Sequence, residues 1–143
     1  MKMNRILFLL AGVSLLFSCS KKDDVENQPA GQALPGKWTM ITQYRTYNQS
    51  GAIQKDTVNY AAESNYWTFD ATAGKIYQLK NAFPDTVAYK LIENDTKIVT
   101  SVDEQFIFQL DTLTIQTLTD HQLKLSGHYT APYSTDVIYN FGK

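Results

Sequence analysis

The amino-acid sequence predicts an all-β domain over residues 35–143, an antiparallel up-and-down meander that closes into a barrel. Three observations predict it. The apolar residues mostly alternate: Trp38, Met40; Trp67, Phe69; Val87, Tyr89, Leu91; Phe106, Phe108, Leu110; Leu113, Ile115; Leu123, Leu125; Val137, Tyr139, Phe141. Period two puts each set on one face of a half-buried strand. Turn-forming clusters cut these runs at short, regular intervals: Asn48 to Gly51, Asp70 to Gly74, Asn81 to Asp85, Glu93 to Asp95, Asp103-Glu104, Thr119 to His121, and Ala131-Pro132. The residues between are rich in threonine and tyrosine, which suit a pleated surface, and no stretch keeps a 3.6-residue period long enough for a substantial helix. The spacing implies roughly eight to ten strands, with at most a helical turn near Ala61 to Asn65.

Residues 1–18 stand outside that domain. Lys2 and Arg5 precede an apolar run from Ile6 to Phe17 and the small residue Ser18, the order of a signal peptide. A run of that length reaches roughly 18 Å as a helix, short of the ~30 Å hydrocarbon core that a spanning helix must cross. Leu16-Phe17-Ser18-Cys19 resembles the lipobox of bacterial lipoproteins, in which the cysteine thiol is acylated and cleavage exposes its amine for a further chain. That resemblance implies lipidation of Cys19 and membrane attachment through its acyl chains, two or three of which hold far more firmly than one.

Cys19 is the only cysteine, so once acylated it leaves no disulfide and no catalytic thiol. Residues 19–34, the lipidated cysteine and its linker, read as a flexible tether, since the polar segment Ser20 to Pro35 holds two prolines and a glycine. Its charged start, Lys21 to Glu26, resembles an acidic sorting signal for the cell surface, and reads equally well as a solvated linker. The expected location is the outer membrane of a Gram-negative cell, facing periplasm or cell surface. Without Lys2 and Arg5 there are 11 basic and 14 acidic residues, a net charge of −3, which points away from nucleic acid as a partner.

A meander of this length gains by closing, because closure removes exposed strand edges. Leu34-Pro35-Gly36-Lys37-Trp38, Trp67-Thr68-Phe69-Asp70 followed by Gly74, and Ile115 to Thr119 leading into Leu123-Lys124-Leu125 resemble the lipocalin-like domains of bacterial lipoproteins. The resemblance implies that Gly36 and Trp38 close one end of the barrel, with the indole lying across it. The late arginine that lipocalins set against that tryptophan has no counterpart, since Arg45 is the only arginine beyond Arg5. The Thr-Asp-Tyr motif of many lipocalins is also missing.

Catalytic patterns are sparse. Ser126-Gly127-His128 lacks a Gly-x-Ser-x-Gly frame. His121 and His128 are an odd number of positions apart, so one continuous strand would send them to opposite faces, and no metal-ligand spacing is present. Asp103/Glu104 read as turn solvation, and no phosphate-binding or dinucleotide loop occurs. The expectation is a non-enzymatic monomer with no metal and no cofactor.

Nine tyrosines suit strands, and they also suit a pocket that stacks a ligand and bonds its polar groups. The expected function is a lipid-anchored barrel binding a small apolar or glycan ligand, lined by Trp67, Phe69, Tyr89, Phe106, Phe108 and Tyr139. The alternative is a filled barrel that works through its surface loops on an envelope partner. Asp-Thr-aliphatic occurs at Asp56-Thr57-Val58, Asp85-Thr86-Val87 and Asp111-Thr112-Leu113, resembling an O-glycosylation acceptor, and reads equally as threonine at strand starts.

Overall fold

A computed structural model describes residues 29–60, 64–101, 112–130 and 133–143. Cys19, Phe106 and Phe108 lie outside the described residues, as do the turns at Asp103-Glu104 and Ala131-Pro132. One helical turn, α1 (Ala30–Ala33), precedes nine strands: β1 (Gly36–Gln49), β2 (Ala52–Asn59), β3 (Tyr66–Asp70), β4 (Lys75–Lys80), β5 (Phe83–Ile92), β6 (Lys97–Thr100), β7 (Thr112–Leu118), β8 (Gln122–Tyr129) and β9 (Thr135–Gly142). Among the described residues, no helix is long and apolar enough to cross a membrane.

Each strand from β3 to β9 pairs antiparallel with the next, and β1 pairs with both β3 and β9, so eight strands close into a barrel. The all-β meander expected from the alternation is the fold observed. The remaining strand, β2, is an edge. It forms a hairpin with β1 over Thr42–Gln49, while β3 takes the same side of β1 lower down, over Gly36–Thr39. β2 and β3 therefore lie end to end along the same side of β1, the first ending at Asn59 and the second starting at Tyr66.

The turns follow local chemistry. Ser50 and Gly51 both have positive φ (54° and 83°), the conformation a two-residue hairpin needs, and Asn48 Oδ1 accepts from the Gly51 N–H at 3.0 Å. Asp70 Oδ1 accepts from the backbone N–H groups of Thr72 and Ala73, which bends the chain between β3 and β4.

One end of the barrel is packed shut. Trp38, Met40, Phe69, Ile76, Ile98, Leu113, Leu123 and Phe141 point inward there and are buried. The Trp67 ring rests on Phe141, Tyr139 and Phe69, with centroids 5.0, 5.3 and 6.2 Å apart, and Phe69 meets Tyr89 edge-on at 5.5 Å. Tilted aromatic contacts of this kind add about 0.5–1.5 kcal/mol each to what area burial supplies. Ala30 and Leu34, on the tether side of the expected 34/35 boundary, are buried in the same core. Their spacing of four places both on one side of α1, and the Trp38 indole N–H donates to the Leu34 carbonyl at 2.7 Å.

Gly36 and Trp38 sit at this closed end. Gly36 has φ +111°, which side chains rarely adopt, and Lys143 lies against it. The Lys143 ammonium is 4.1 Å from the centroid of a Trp38 ring, so a lysine takes the place beside the tryptophan where the sequence offers no late arginine.

Candidate functional site

The open end of the barrel differs from the base because β1 changes face partway along. Trp38 and Met40 point inward, and strict alternation would continue with Thr42, Tyr44 and Thr46. The pairing with β9 instead skips Ile41, since Met40 faces Phe141 and Thr42 faces Asn140. This bulge turns Gln43, Arg45 and Tyr47 into the barrel. Gln43 is 4% exposed, whereas Ile41 and Tyr44 are 42% and 44% exposed.

The bulge therefore builds a polar layer above the aromatic floor. Tyr60, buried at the end of β2, donates its hydroxyl to Gln43 Oε1 at 2.8 Å. Lys80, at the end of β4, reaches the same oxygen at 3.5 Å and lies 5.7 Å from the Tyr60 ring centroid. Gln78, 3% exposed, donates through Nε2 to Asp85 on β5 at 3.3 Å. Arg45 pairs with Asp56, its cross-strand neighbour on β2.

Two buried atoms in this layer have no hydrogen-bond partner among the described residues: Arg45 Nε, a donor, and Gln78 Oε1, an acceptor. Burial pushes the Lys80 pKa below the usual lysine range, and the Arg45 charge pushes it the same way. Burial also opposes the Arg45 charge, but the hydrogen bond and charge of Asp56 outweigh it and hold the guanidinium above its ordinary value. The Tyr139 hydroxyl beneath is driven up by burial, so it stays neutral.

Above Arg45 opens a cavity of about 270 Å³ lined by Arg45, Tyr47, Gln49, Tyr129, Tyr133 and Thr135. Tyr47 and Tyr133 stack across it, with centroids 6.2 Å apart and planes within 22°. Hollows lie elsewhere too: one of about 200 Å³ beside α1, the β5–β6 turn and β7, and a larger outer groove of about 420 Å³ at Asn65, Leu79 and Ala82. The outer groove has no charged side chain in its lining.

Of the residues expected to line a ligand, Trp67, Phe69, Tyr89 and Tyr139 do face the interior, where they pack on one another. The open space lies a layer higher, over Arg45, and the unmatched polar atoms of that layer belong to Arg45 and Gln78. Gln43, Gln78 and Lys80 carry no mark in the sequence, because an unannounced bulge decides which β1 residues turn inward beside Gln78 and Lys80.

His121 lies in the exposed turn before β8. His128 faces outward and joins two residues of the β8–β9 hairpin. Its Nδ1 is 2.8 Å from Asp136 Oδ1, and its Nε2 is 3.3 Å from Ser134 Oγ. The order resembles a serine–histidine–aspartate relay, yet the His128 and Asp136 side chains are 49% and 75% exposed. A catalytic relay relies on a buried aspartate and a site shielded from water, and this one lies on the solvent side of a hairpin. Among the described residues no cluster of three metal-ligating side chains occurs. Thr57 and Thr86 of the Asp-Thr-aliphatic triplets are exposed, and Thr112 is half-buried.

Fold and site together define a small antiparallel β-barrel with a packed aromatic base and a polar, cation-bearing mouth. The chain matches no family model and no curated protein.

Proposed function

We propose that this chain is an acylated lipoprotein of the outer membrane whose lipocalin-like barrel binds one small ligand at its mouth. The cavity walled by Tyr47, Tyr129 and Tyr133 over Arg45 carries this reading. Tyrosine faces stack a flat or ring-shaped ligand while the guanidinium and Gln49 orient it, the usual division of labour in a small-molecule site. The packed base favours a compact ligand over a long apolar chain, and among the classes expected from sequence it favours a glycan. The lipobox-like Leu16 to Cys19 supports the anchor, and Ala30, the first buried residue described, follows Cys19 closely enough to keep the barrel near a membrane.

The reading is tested by native mass spectrometry of protein purified from its own envelope. A single small molecule should co-purify and be lost from a Tyr47→Ala/Tyr133→Ala variant. Protein that always flies without a ligand would overturn the binding reading and favour a barrel acting through its surface, where Ile53 and Phe83 are 72% and 63% exposed. For the anchor, Cys19→Ser should move the protein to the soluble fraction; retention at the membrane would refute it.

A further inference from the structure

We infer that the tether joins the barrel at its closed base and holds that base toward the lipid surface, so that the mouth opens into water away from the bilayer. The inference rests on the proposed anchor at Cys19 and gives it a direction. It follows from where the chain enters the barrel and from two lengths.

The residues just before β1 are fixed to the base. Ala30 and Leu34 are buried in the core there, and the Leu34 carbonyl accepts from the Trp38 indole. The Gly31 N–H donates to Asp95 in the β5–β6 turn at 3.4 Å, and the Lys143 ammonium donates to the carbonyls of Ala33 and Pro35. The β5–β6 and β7–β8 turns and Lys143 stand at the end where β1 starts, whereas the β1–β2, β4–β5 and β8–β9 connections stand at the mouth. A chain arriving from Cys19 therefore enters at the end opposite the mouth.

The two lengths decide which end meets the lipid. Ten peptide steps separate Cys19 from Pro29, a reach of at most about 36 Å. β1 climbs from base to mouth over 14 residues, roughly 45 Å along the strand and about 32–37 Å along the axis at the usual barrel tilt. Turning the mouth to the bilayer would lift Pro29 by that whole height and pull the segment nearly straight. Apolar side chains favour such a turn, since Ile53 and Phe83, beside the β1–β2 and β4–β5 turns, are 72% and 63% exposed. Holding ten residues straight gives up more conformational freedom than burying two side chains returns, so the tether prevails. Facing away from the lipid, the mouth meets dissolved compounds, which agrees with a glycan and disagrees with an acyl chain drawn from the anchoring leaflet.

The test uses the acylated mature protein in vesicles of phosphatidylethanolamine and phosphatidylglycerol that carry an acceptor dye on their headgroups. With Cys19 acylated, an introduced cysteine is the sole thiol and takes the donor dye. Ser50→Cys labels the mouth and Asp120→Cys the base, both in exposed turns. With the labels a wall height apart, energy transfer from position 120 should be at least about threefold faster than from position 50. Inserting about twenty glycine and serine residues after Glu26, enough to pass the wall with slack, should bring the two rates together. Equal transfer from the two labels with the native tether, or faster transfer from position 50, overturns the inference and leaves ligand binding at the mouth untouched. A threefold difference that survives the insertion overturns the tether as its cause, and the inference with it. The intact mass of the purified protein reads the anchor separately: an unacylated Cys19 overturns the anchor and takes the inference with it.

Discussion

Lys143 closes the base of the barrel over Trp38. Its ammonium lies 4.1 Å from the centroid of a Trp38 ring and donates to the carbonyls of Ala33 and Pro35 at 3.3 and 3.1 Å. One side chain thus ties the end of β9 to α1 and the start of β1. It also covers Gly36, whose added Cβ would meet the lysine stem at 3.6 Å.

Lys143→Met should cost about 1 kcal/mol of unfolding free energy, the scale of an exposed cation–π contact together with hydrogen bonds that water partly replaces. Lys143→Arg should restore most of it. Urea denaturation with an unchanged slope would read the difference as stability alone. A neutral effect of Lys143→Met would show that the contact contributes nothing.

The β4–β5 hairpin turns through Asn81 and Ala82, with φ of 52° and 67°. Asparagine tolerates that region, whereas alanine crowds its own Cβ against the backbone. Ala82→Gly should stabilise the protein by roughly 0.5–1 kcal/mol, since relief of strain exceeds the entropy that glycine adds to the unfolded chain. Thermal unfolding measures it, and a lower midpoint would contradict the positive φ.

Lys80 holds its charge at a cost in stability. Burial first, and Arg45 second, lower its pKa in the folded state below that of the unfolded chain. Between those two values the unfolded chain binds more protons, so the Lys80 contribution to stability rises as pH climbs through that window. Below it the penalty is present in full. Lys80→Met should therefore be more stable than wild type near neutral pH, by about 0.5–2 kcal/mol, the usual scale of a stabilising substitution. That advantage should shrink as the pH rises toward the ordinary lysine range, about 10. An advantage independent of pH would assign the effect to packing.

Ser134 should fail to react with a fluorophosphonate probe under conditions that label serine hydrolases. The His128–Asp136 pair joins directly opposite residues of β8 and β9, and its exposure leaves the relay open to water. Labelling at Ser134 that disappears in His128→Ala would instead establish a catalytic serine.

Much of the fold was legible in the alternation itself. Trp38, Met40, Trp67, Phe69, Val137, Tyr139 and Phe141 recur at period two, and each is buried in the barrel. Turn clusters at Ser50-Gly51, Asp70 to Gly74 and Glu93 to Asp95 stand where strands end, because positive φ and side-chain caps are local requirements. Less legible was the start of the ordered chain. Ala30 and Leu34 lie in a polar segment, and their burial depends on a barrel base for them to meet.

What the sequence determined by itself is the all-β meander and the apolar set that fills its base, since periodicity and turn chemistry act within a few residues of chain. What only the tertiary structure decided is the mouth. The bulge at Ile41 carries no glycine or proline to announce it, and it arises where β1 must match β9 across the closing seam. That shift of one residue turns Gln43, Arg45 and Tyr47 inward to meet Tyr60 and Lys80 from distant parts of the chain. Lys80 meets Gln43 and the Tyr60 ring only because closure of the barrel brings them together.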